Sequence, residues 1–361
     1  MAEPDPSPIR VAYTLEQCWH PSPGGTAVAA LRVARELRDR IDVELHQVAG
    51  RHPRVPMPEF RPVGEVAMLP LARPALYETW NRWNWPRVES VVGEIDVAHA
   101  TGLVPCGTSA PLVVTVHDLA FRHDPDKFSR HGVRTMRRSL VAISKRADRV
   151  LCPSRATMAD CADAGLDVAM LRHVPLGVDA APADADAVAL VRRRYRLPAE
   201  FVLFVGTLEP RKNLRRLTEA VRHPEVPLPL VVAGADGWGD HGLEHDTLFL
   251  GFVPAEDLAA LYAAATVFAY PSEREGFGLP VVEAMAQGTP VVTSAGTSTE
   301  EVAGGAAVLV DPFDPDDIAR GLVEAVGRGD ELAAAGRSRA AASSWTVTAE
   351  QTVAVYRELA P

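Results

Sequence analysis

Short apolar runs alternate with longer stretches of helical periodicity along the chain, and the alternation halts and restarts once near the middle. In the first half, Ile9 to Tyr13, Val43 to Val48, Asp96 to Ala100, Leu112 to Val116, Arg149 to Cys152 and Met170 to Val174 read as strands. Amphipathic stretches at 26–40, 75–92, 129–147 and 155–164 read as helices between them. The second half repeats the rhythm, with strands expected at Phe201 to Val205, Leu230 to Ala233, Leu248 to Phe252, Val267 to Tyr270, Pro290 to Thr293 and Ala307 to Val310. Its helices are expected at 214–221, 255–264, 279–287, 316–327 and 331–343, followed by a last amphipathic segment at 347–359. Near-continuous apolar strands separated by helices predict parallel sheets covered on both faces. The Ala-, Asp- and Pro-rich stretch 180–189 predicts a linker, which divides the chain into domains 1–178 and 190–345. Open parallel sheets take ligands beyond their strand C-termini, so a cleft between the two domains is the expected site.

The length of 361 residues suits two such cores. No apolar run reaches the ~18 residues of a bilayer span. The polar, Pro-rich start from Met1 to Pro8 does not read as a signal peptide, and a cytoplasmic protein is expected. A net charge of −10 argues against a general nucleic-acid binder. Cys18, Cys106, Cys152 and Cys161 lie far apart without a CxxC pair, as reduced structural thiols would.

The most informative segment is Pro271 to Pro290, PSEREGFGLPVVEAMAQGTP, between an expected strand and an expected helix with Pro280 in its first turn. Leu279, Val281, Val282, Ala284, Met285 and Ala286 make that helix apolar nearly all round, hence buried. Glu283 is its lone carboxylate and needs a partner: the helix N-terminus, a basic side chain, or a ligand. Gly276 and Gly278 allow close backbone approach, and the helix start beyond them is a ready anion site. Glu275 and Glu283 form E-x7-E, a spacing that suits two hydroxyl-bearing parts of a ligand with phosphates between them.

Other stretches carry weaker signals. Gly206-Thr-Leu-Glu-Pro-Arg-Lys-Asn213 follows a strand, and Arg211 and Lys212 suit a leaving diphosphate. The same loop also reads as a solvated turn with Asn213 capping a helix. Gly24 and Gly25, in Pro21 to Thr26, offer N–H groups before a helix or form a plain turn. His117 and Asp118 end a strand, where clefts form, though a lone histidine is often structural. Arg130, Arg134, Arg137, Arg138 and Lys145 share a helix face, either solvated or suited to an anionic acceptor or a membrane surface. Trp80, Trp83 and Trp85 read as core, as a sugar-stacking platform or as part of an acceptor site. Asp314 and Asp316 form a D-x-D, a pattern that can bind a metal, but N-capping beside Pro315 explains them better.

The Pro271 to Pro290 segment resembles the EGFGLP-x-x-E signature of the retaining glycosyltransferases of family 4, and the resemblance extends over essentially the whole chain. It implies an α/β GT-B fold: two Rossmann-like domains, the first binding acceptor, the second binding nucleotide sugar, with 346–361 packing back on the first. It implies that Glu283 holds the donor ribose, that Glu275 contacts the transferred sugar, and that the backbone of Phe277, Gly278 and Leu279 lies near sugar and distal phosphate. Lys212 and Arg211 would serve the phosphates. Thr207 stands where many resembling enzymes have an arginine, which puts more weight on Lys212. Gly24 and Gly25 would close over the donor phosphates or the acceptor, and His117 would orient the hexose, with Asp118, Arg134 and Arg138 on the acceptor side.

The expected activity is transfer of a hexose, mannose from GDP-mannose ahead of UDP-glucose or UDP-N-acetylglucosamine, with retention and without an essential metal or other cofactor. The acceptor would be a glycan, a lipid-linked chain or a small metabolite, with peripheral contact on the inner membrane face as a further expectation. A nucleotide-sugar epimerase, a phosphorylase, or a non-catalytic sugar-nucleotide-binding subunit would suit the same fold.

Overall fold

A computed structural model describes residues 7–20, 23–235 and 247–360. The chain divides into two compact units, Met1–Gly177 with Trp345–Pro361, and Val178–Ser344.

The first unit is built on a seven-stranded parallel sheet. Its strands are β1 (Ile9–Thr14), β2 (Val43–Ala49), β3 (Val66–Met68), β4 (Val97–Ala100), β5 (Leu112–Thr115), β6 (Arg149–Cys152) and β7 (Leu171–His173), in the order β3-β2-β1-β4-β5-β6-β7. β1 pairs in register with β2 (Val11 opposite Leu45) and with β4 (Val11 opposite Val97). The middle strands are buried on both faces: Val11, Ala12, Val97, Ala98, Val113, Val114 and Val150 are all closed off from solvent. Each fully buried branched side chain of this kind contributes about 1.5–3 kcal/mol, which explains their unbroken apolar spelling.

The second unit repeats the design with six parallel strands. They are β8 (Val202–Val205), β9 (Leu230–Ala233), β10 (Leu248–Gly251), β11 (Val267–Tyr270), β12 (Val291–Ser294) and β13 (Val308–Val310), ordered β10-β9-β8-β11-β12-β13. In each unit the strand order reverses beside the first strand, at β1/β4 and at β8/β11. Such switch points open a crevice at the strand C-termini, because the flanking loops run to opposite faces.

Several expectations are corrected. The stretch 180–189 is not simply linker: Asp184 accepts a hydrogen bond from the Ala187 amide and caps a helix, Ala185–Arg194, within the second unit. The expected helix 75–92 is two, Ala75–Trp83 and Glu89–Val92, broken at Asn84, whose left-handed conformation (φ 52°) ends the first. Strand β3 was missed because three residues at a sheet edge carry too little pattern. The helix Ser298–Ala303 was missed too, since its six polar-rich residues show no apolar stripe.

The last helix, Trp345–Arg357, belongs to the first unit and buries Trp345, Val353 and Tyr356 there. Its anchor is polar. Tyr356 Oη lies 2.6 Å from His99 Nδ1, and His99 Nε2 lies 2.8 Å from Thr115 Oγ1. Burial lowers the His99 pKa to about 3, with a further push from His117, so the ring is neutral. Cys152 and Cys161 are buried free thiols with sulfurs 3.8 Å apart.

Candidate active site

The C-terminal edge of the second sheet gathers the residues singled out in 206–213 and 271–290, because β8 and β11, which precede them, are neighbours. Gly206 ends β8. A Cβ there would come within 2.7 Å of Lys212 Nζ, so glycine is what lets the lysine lie beneath the backbone. Lys212 is only 9% exposed, and its ammonium sits 5.5 Å from the Tyr270 ring centroid. Asn213 adopts a left-handed conformation (φ 62°). It makes no side-chain cap, contrary to the capping alternative. Its amide instead donates to the Pro271 and Pro312 carbonyls at 2.9 and 2.5 Å, tying the two loops together.

Glu275 lies at the centre of this edge, its side chain 10% exposed. Tyr270 Oη donates to it at 2.9 Å and Ser272 Oγ at 3.2 Å, while Arg211 Nη1 pairs with its other oxygen at 2.9 Å. Burial alone would raise its pKa. Arg211, Lys212 and the hydrogen bonds outweigh that and hold it below the usual carboxylate range, so it is an anion at neutral pH. Arg211 also pairs with Glu209 at 2.7 Å and donates to the Arg274 carbonyl at 3.0 Å. Its charge is therefore shared between two carboxylates.

Beyond the loop, Phe277, Gly278 and Leu279 are buried, and Gly278 caps the helix Leu279–Ala286. Gly278 has φ 102°, and a Cβ there would meet Thr299 Cγ2 at 2.7 Å. Only glycine is accommodated in this turn. No acidic residue occupies the first helical turn. Glu283 is half-buried on an otherwise buried helix and accepts a hydrogen bond from Tyr262 Oη at 2.8 Å. Tyr262 thus meets it, and burial followed by the Glu283 charge drives that phenol well above its ordinary pKa.

The first unit places its sequence-predicted residues on its own C-terminal edge. Gly24 caps the helix Gly25–Arg38, whose first turn has no acid, and a Cβ at Gly24 would meet nothing within 4 Å. Gly25 and Thr26 are exposed. Pro21 and Ser22 of the same loop lie outside the described residues. His117 Nε2 is 3.2 Å from the Thr101 carbonyl, which can only accept, so Nε2 carries the proton and Nδ1 is the acceptor. Burial lowers its pKa, opposed by that carbonyl and by Asp118, and favours the neutral ring. Asp118 Oδ1 accepts from the Ala120 amide at 3.0 Å, a local turn bond.

Other candidates separate on inspection. Trp80 is core, donating to the Pro86 carbonyl at 2.9 Å, while Trp83 and Trp85 are 66% and 54% exposed. Arg138 pairs with Glu78 at 2.7 Å, and Arg134 is exposed on the same helix. Asp314 accepts from the Asp316 amide at 3.0 Å and caps the helix Pro315–Gly327.

Sequence reasoning missed a polar cluster on the first edge. Glu16, 4% exposed, accepts from the Gly50 amide and lies 3.2 Å from His52 Nε2, with Arg73 Nε 3.7 Å away. The Trp19 ring stacks on His52 at 4.7 Å, and Gln17 Nε2 donates to the Thr101 carbonyl at 2.5 Å. These residues follow different strands, and no contiguous motif joins them.

Comparison with known proteins agrees with this architecture. The model described as Glycosyltransferase Family 4 matches residues 23–181, and that described as Glycosyl transferases group 1 matches 192–340. O-antigen chain mannosyltransferase B of Escherichia coli is 34% identical over 267 residues, 68% of this chain and 70% of that protein. D-inositol 3-phosphate glycosyltransferase of Corynebacterium jeikeium is 36% identical over 219 residues, covering 53% of this chain and 52% of that one. Among solved structures, sucrose-phosphate synthase from Thermosynechococcus elongatus superposes with a TM-score of 0.77 over 98% of this chain and 99% of that one, at 22% identity. Anabaena HepE, solved with UDP and glucose, gives 0.73 over 97% and 100%, at 19% identity. The chain belongs to the family 4 glycosyltransferases of GT-B fold, and it is a transferase enzyme.

Proposed function

We propose that the protein transfers a hexose, mannose from GDP-mannose, to a growing glycan with retention of anomeric configuration and without an essential metal. The observation that carries the reading is the second edge: an anionic Glu275, a buried Lys212 and an acid-free helix start beside Glu283. Glu283 holds the ribose hydroxyls, and the backbone of Phe277, Gly278 and Leu279, leading into the helix, faces the distal phosphate and sugar. Lys212, aided by Arg211, stabilises the negative charge that grows on the departing diphosphate. Glu275 accepts hydrogen bonds from the sugar, which orients it and opposes the positive charge developing at the anomeric carbon.

In this scheme the bond from the anomeric carbon to the donor phosphate oxygen breaks and its electrons leave with the nucleoside diphosphate. The acceptor hydroxyl attacks from the same face, and its proton passes to the departing phosphate oxygen. The neutral His117, with Nδ1 as acceptor, is assigned the orientation of the sugar, and Gly24 and Gly25 offer N–H groups to a phosphate or hydroxyl. Positioning and charge stabilisation thus take the place of a protein nucleophile. Mannose is favoured by the mannosyltransferase relatives, and HepE, solved with UDP-glucose, makes UDP-glucose the chief competitor. No helix among the described residues is long and apolar enough to cross a membrane. A cytoplasmic location, with peripheral contact at the inner face, is part of the proposal.

The test is a calorimetric and thermal-shift comparison of GDP-, UDP-, dTDP- and ADP-sugars without metal, followed by product analysis. A ligand of the native state raises apparent stability with the logarithm of its concentration over its Kd. Selective stabilisation by GDP-mannose, abolished in Glu283→Ala, is expected. Equal response to all four, or dependence on added divalent metal, would overturn the reading.

A further inference from the structure

The helices Ala75–Trp83 and Arg130–Arg146 of the first unit border a cavity of about 660 Å³ that the scheme above does not use. Its walls carry Arg82, Arg130, Arg134, Arg137 and Arg138, with Val133 and Val141 as the apolar part and Asp126 as the acid. In a chain of net charge −10, this is a local reversal of sign. Residues 130, 134 and 137 stand on one helix face, with axial separations of roughly 6 and 4.5 Å at 1.5 Å per residue. Like charges at that spacing repel each other and disfavour the helix, so an unliganded fold gains nothing from them.

The pairing within the cluster is uneven. Glu78 takes Arg138 at 2.7 Å and Arg82 at 2.8 Å. Among the described residues no carboxylate pairs with Arg130, Arg134 or Arg137, and all three are exposed. Arg146, by contrast, turns away from the cavity and donates to the Trp80 and Cys106 carbonyls, a structural use of the same side chain. The free row is therefore a distinct feature of the groove, and not a general property of the helix.

We infer that this groove binds a phosphate or diphosphate group carried by the acceptor. Guanidinium forks in a row suit a group with several oxygens, each able to accept from two arginines at once. Placement favours the acceptor over the donor: Pro125 and Asp126 belong to the turn that leads from His117 and Asp118 into this helix, whereas the donor cations Arg211 and Lys212 belong to the other unit. The inference rests on the transferase reading for the word acceptor, while the anion site stands on the geometry of the groove.

The experiment titrates inorganic pyrophosphate into the full chain carrying Lys212→Ala, which removes the donor cation, and into the same chain carrying also Arg134→Gln and Arg137→Gln. Both arginines are exposed, so the fold is expected to persist, as a melting curve will register. Pyrophosphate affinity is expected to fall by about tenfold or more in the second protein. Unchanged affinity overturns the inference. A second arm sediments the chain with phosphatidylcholine vesicles, with and without phosphatidic acid. Arginine-dependent retention on the acidic vesicles places the phosphate on a lipid, and arginine-dependent pyrophosphate binding without retention places it on a soluble acceptor. Loss of both when the arginines are intact overturns the site. The nucleotide-sugar thermal shift of Arg134→Gln, Arg137→Gln reads the donor reading separately, and is expected to match the wild type.

Discussion

The two sheet edges are built alike and written differently. Each is the C-terminal edge of a parallel sheet at a switch point, β1/β4 in one unit and β8/β11 in the other. On the second edge, two adjacent loops, 206–213 and 271–279, supply Lys212, Arg211, Glu275 and the Gly278 turn, and Glu283 follows one helical turn later. On the first edge, Gln17, His52, Arg73, Thr101 and His117 arrive after β1, β2, β3, β4 and β5 in turn. The roles proposed for the two edges would account for the contrast. A diphosphate needs consecutive amides and nearby cations, and one loop and one helix start provide both. A partner recognised by scattered hydroxyls or charges needs groups pointing inward from many directions, which neighbouring residues of one strand end cannot supply.

If the second edge carries the chemistry, Glu275→Gln gives the largest effect. Turnover should fall by about 10²–10³-fold, the scale of losing one preorganised charge contact. Affinity for the nucleotide sugar should stay within about threefold of wild type, by calorimetry. A Kd change as large as the loss of turnover would place Glu275 in binding alone.

Glu283→Ala comes next, with donor affinity weakened about 10–100-fold, the worth of hydrogen bonds to a charged group. Tyr262→Phe, which removes only the hydroxyl holding Glu283, should produce a smaller shift in the same direction. An unaltered Kd in Glu283→Ala would remove the ribose assignment.

The third prediction concerns stability. Gly278→Ala forces a side chain into φ 102° and against Thr299, at a cost of about 1–3 kcal/mol. Gly24→Ala, with nothing within 4 Å of its Cβ, should leave the melting temperature unchanged while its kinetics report on ligand approach. Equal melting temperatures for the two variants would contradict the geometry of the Gly278 turn.

The smallest effect separates the two units by pH. His99 is held neutral by burial, with a pKa of about 3 against 6.5 for the free side chain. Between those values the unfolded chain binds the extra proton, so stability is full above pH 6.5 and declines as pH falls toward 3. Tyr356→Phe should cost about 1 kcal/mol at neutral pH by leaving His99 Nδ1 unmatched. His99→Asn should flatten the decline, followed as melting temperature against pH. A slope unchanged in His99→Asn would assign the acid sensitivity to other groups.

Much of the fold was legible. Val202 to Val205 and Val267 to Tyr270 spell buried parallel strands because every position along them is buried. β3 was not legible, for three residues at an edge need little burial, nor was the helix Ala185–Arg194, whose Ala and Asp composition reads equally as linker. At the site, Glu275, Gly278 and Glu283 could be named in advance because one contiguous motif holds them. That Arg211 is shared between Glu209 and Glu275, and that Glu283 meets a tyrosine 21 residues before it, could not.

By itself, then, the sequence determined the alternation of buried strands and covering helices and the position of the glycine turn and helix start at 276–279, since both are local: periodicity of burial in one case, turn and cap chemistry in the other. Only the tertiary structure decided which charges are spent on one another, how Glu16, His52 and Arg73 come together, and that Arg130, Arg134 and Arg137 face a cavity while Arg146 holds backbone carbonyls. Charge pairing depends on a few ångströms between residues tens of positions apart. That distance is set by how the helices pack on the sheet, and no local pattern encodes it.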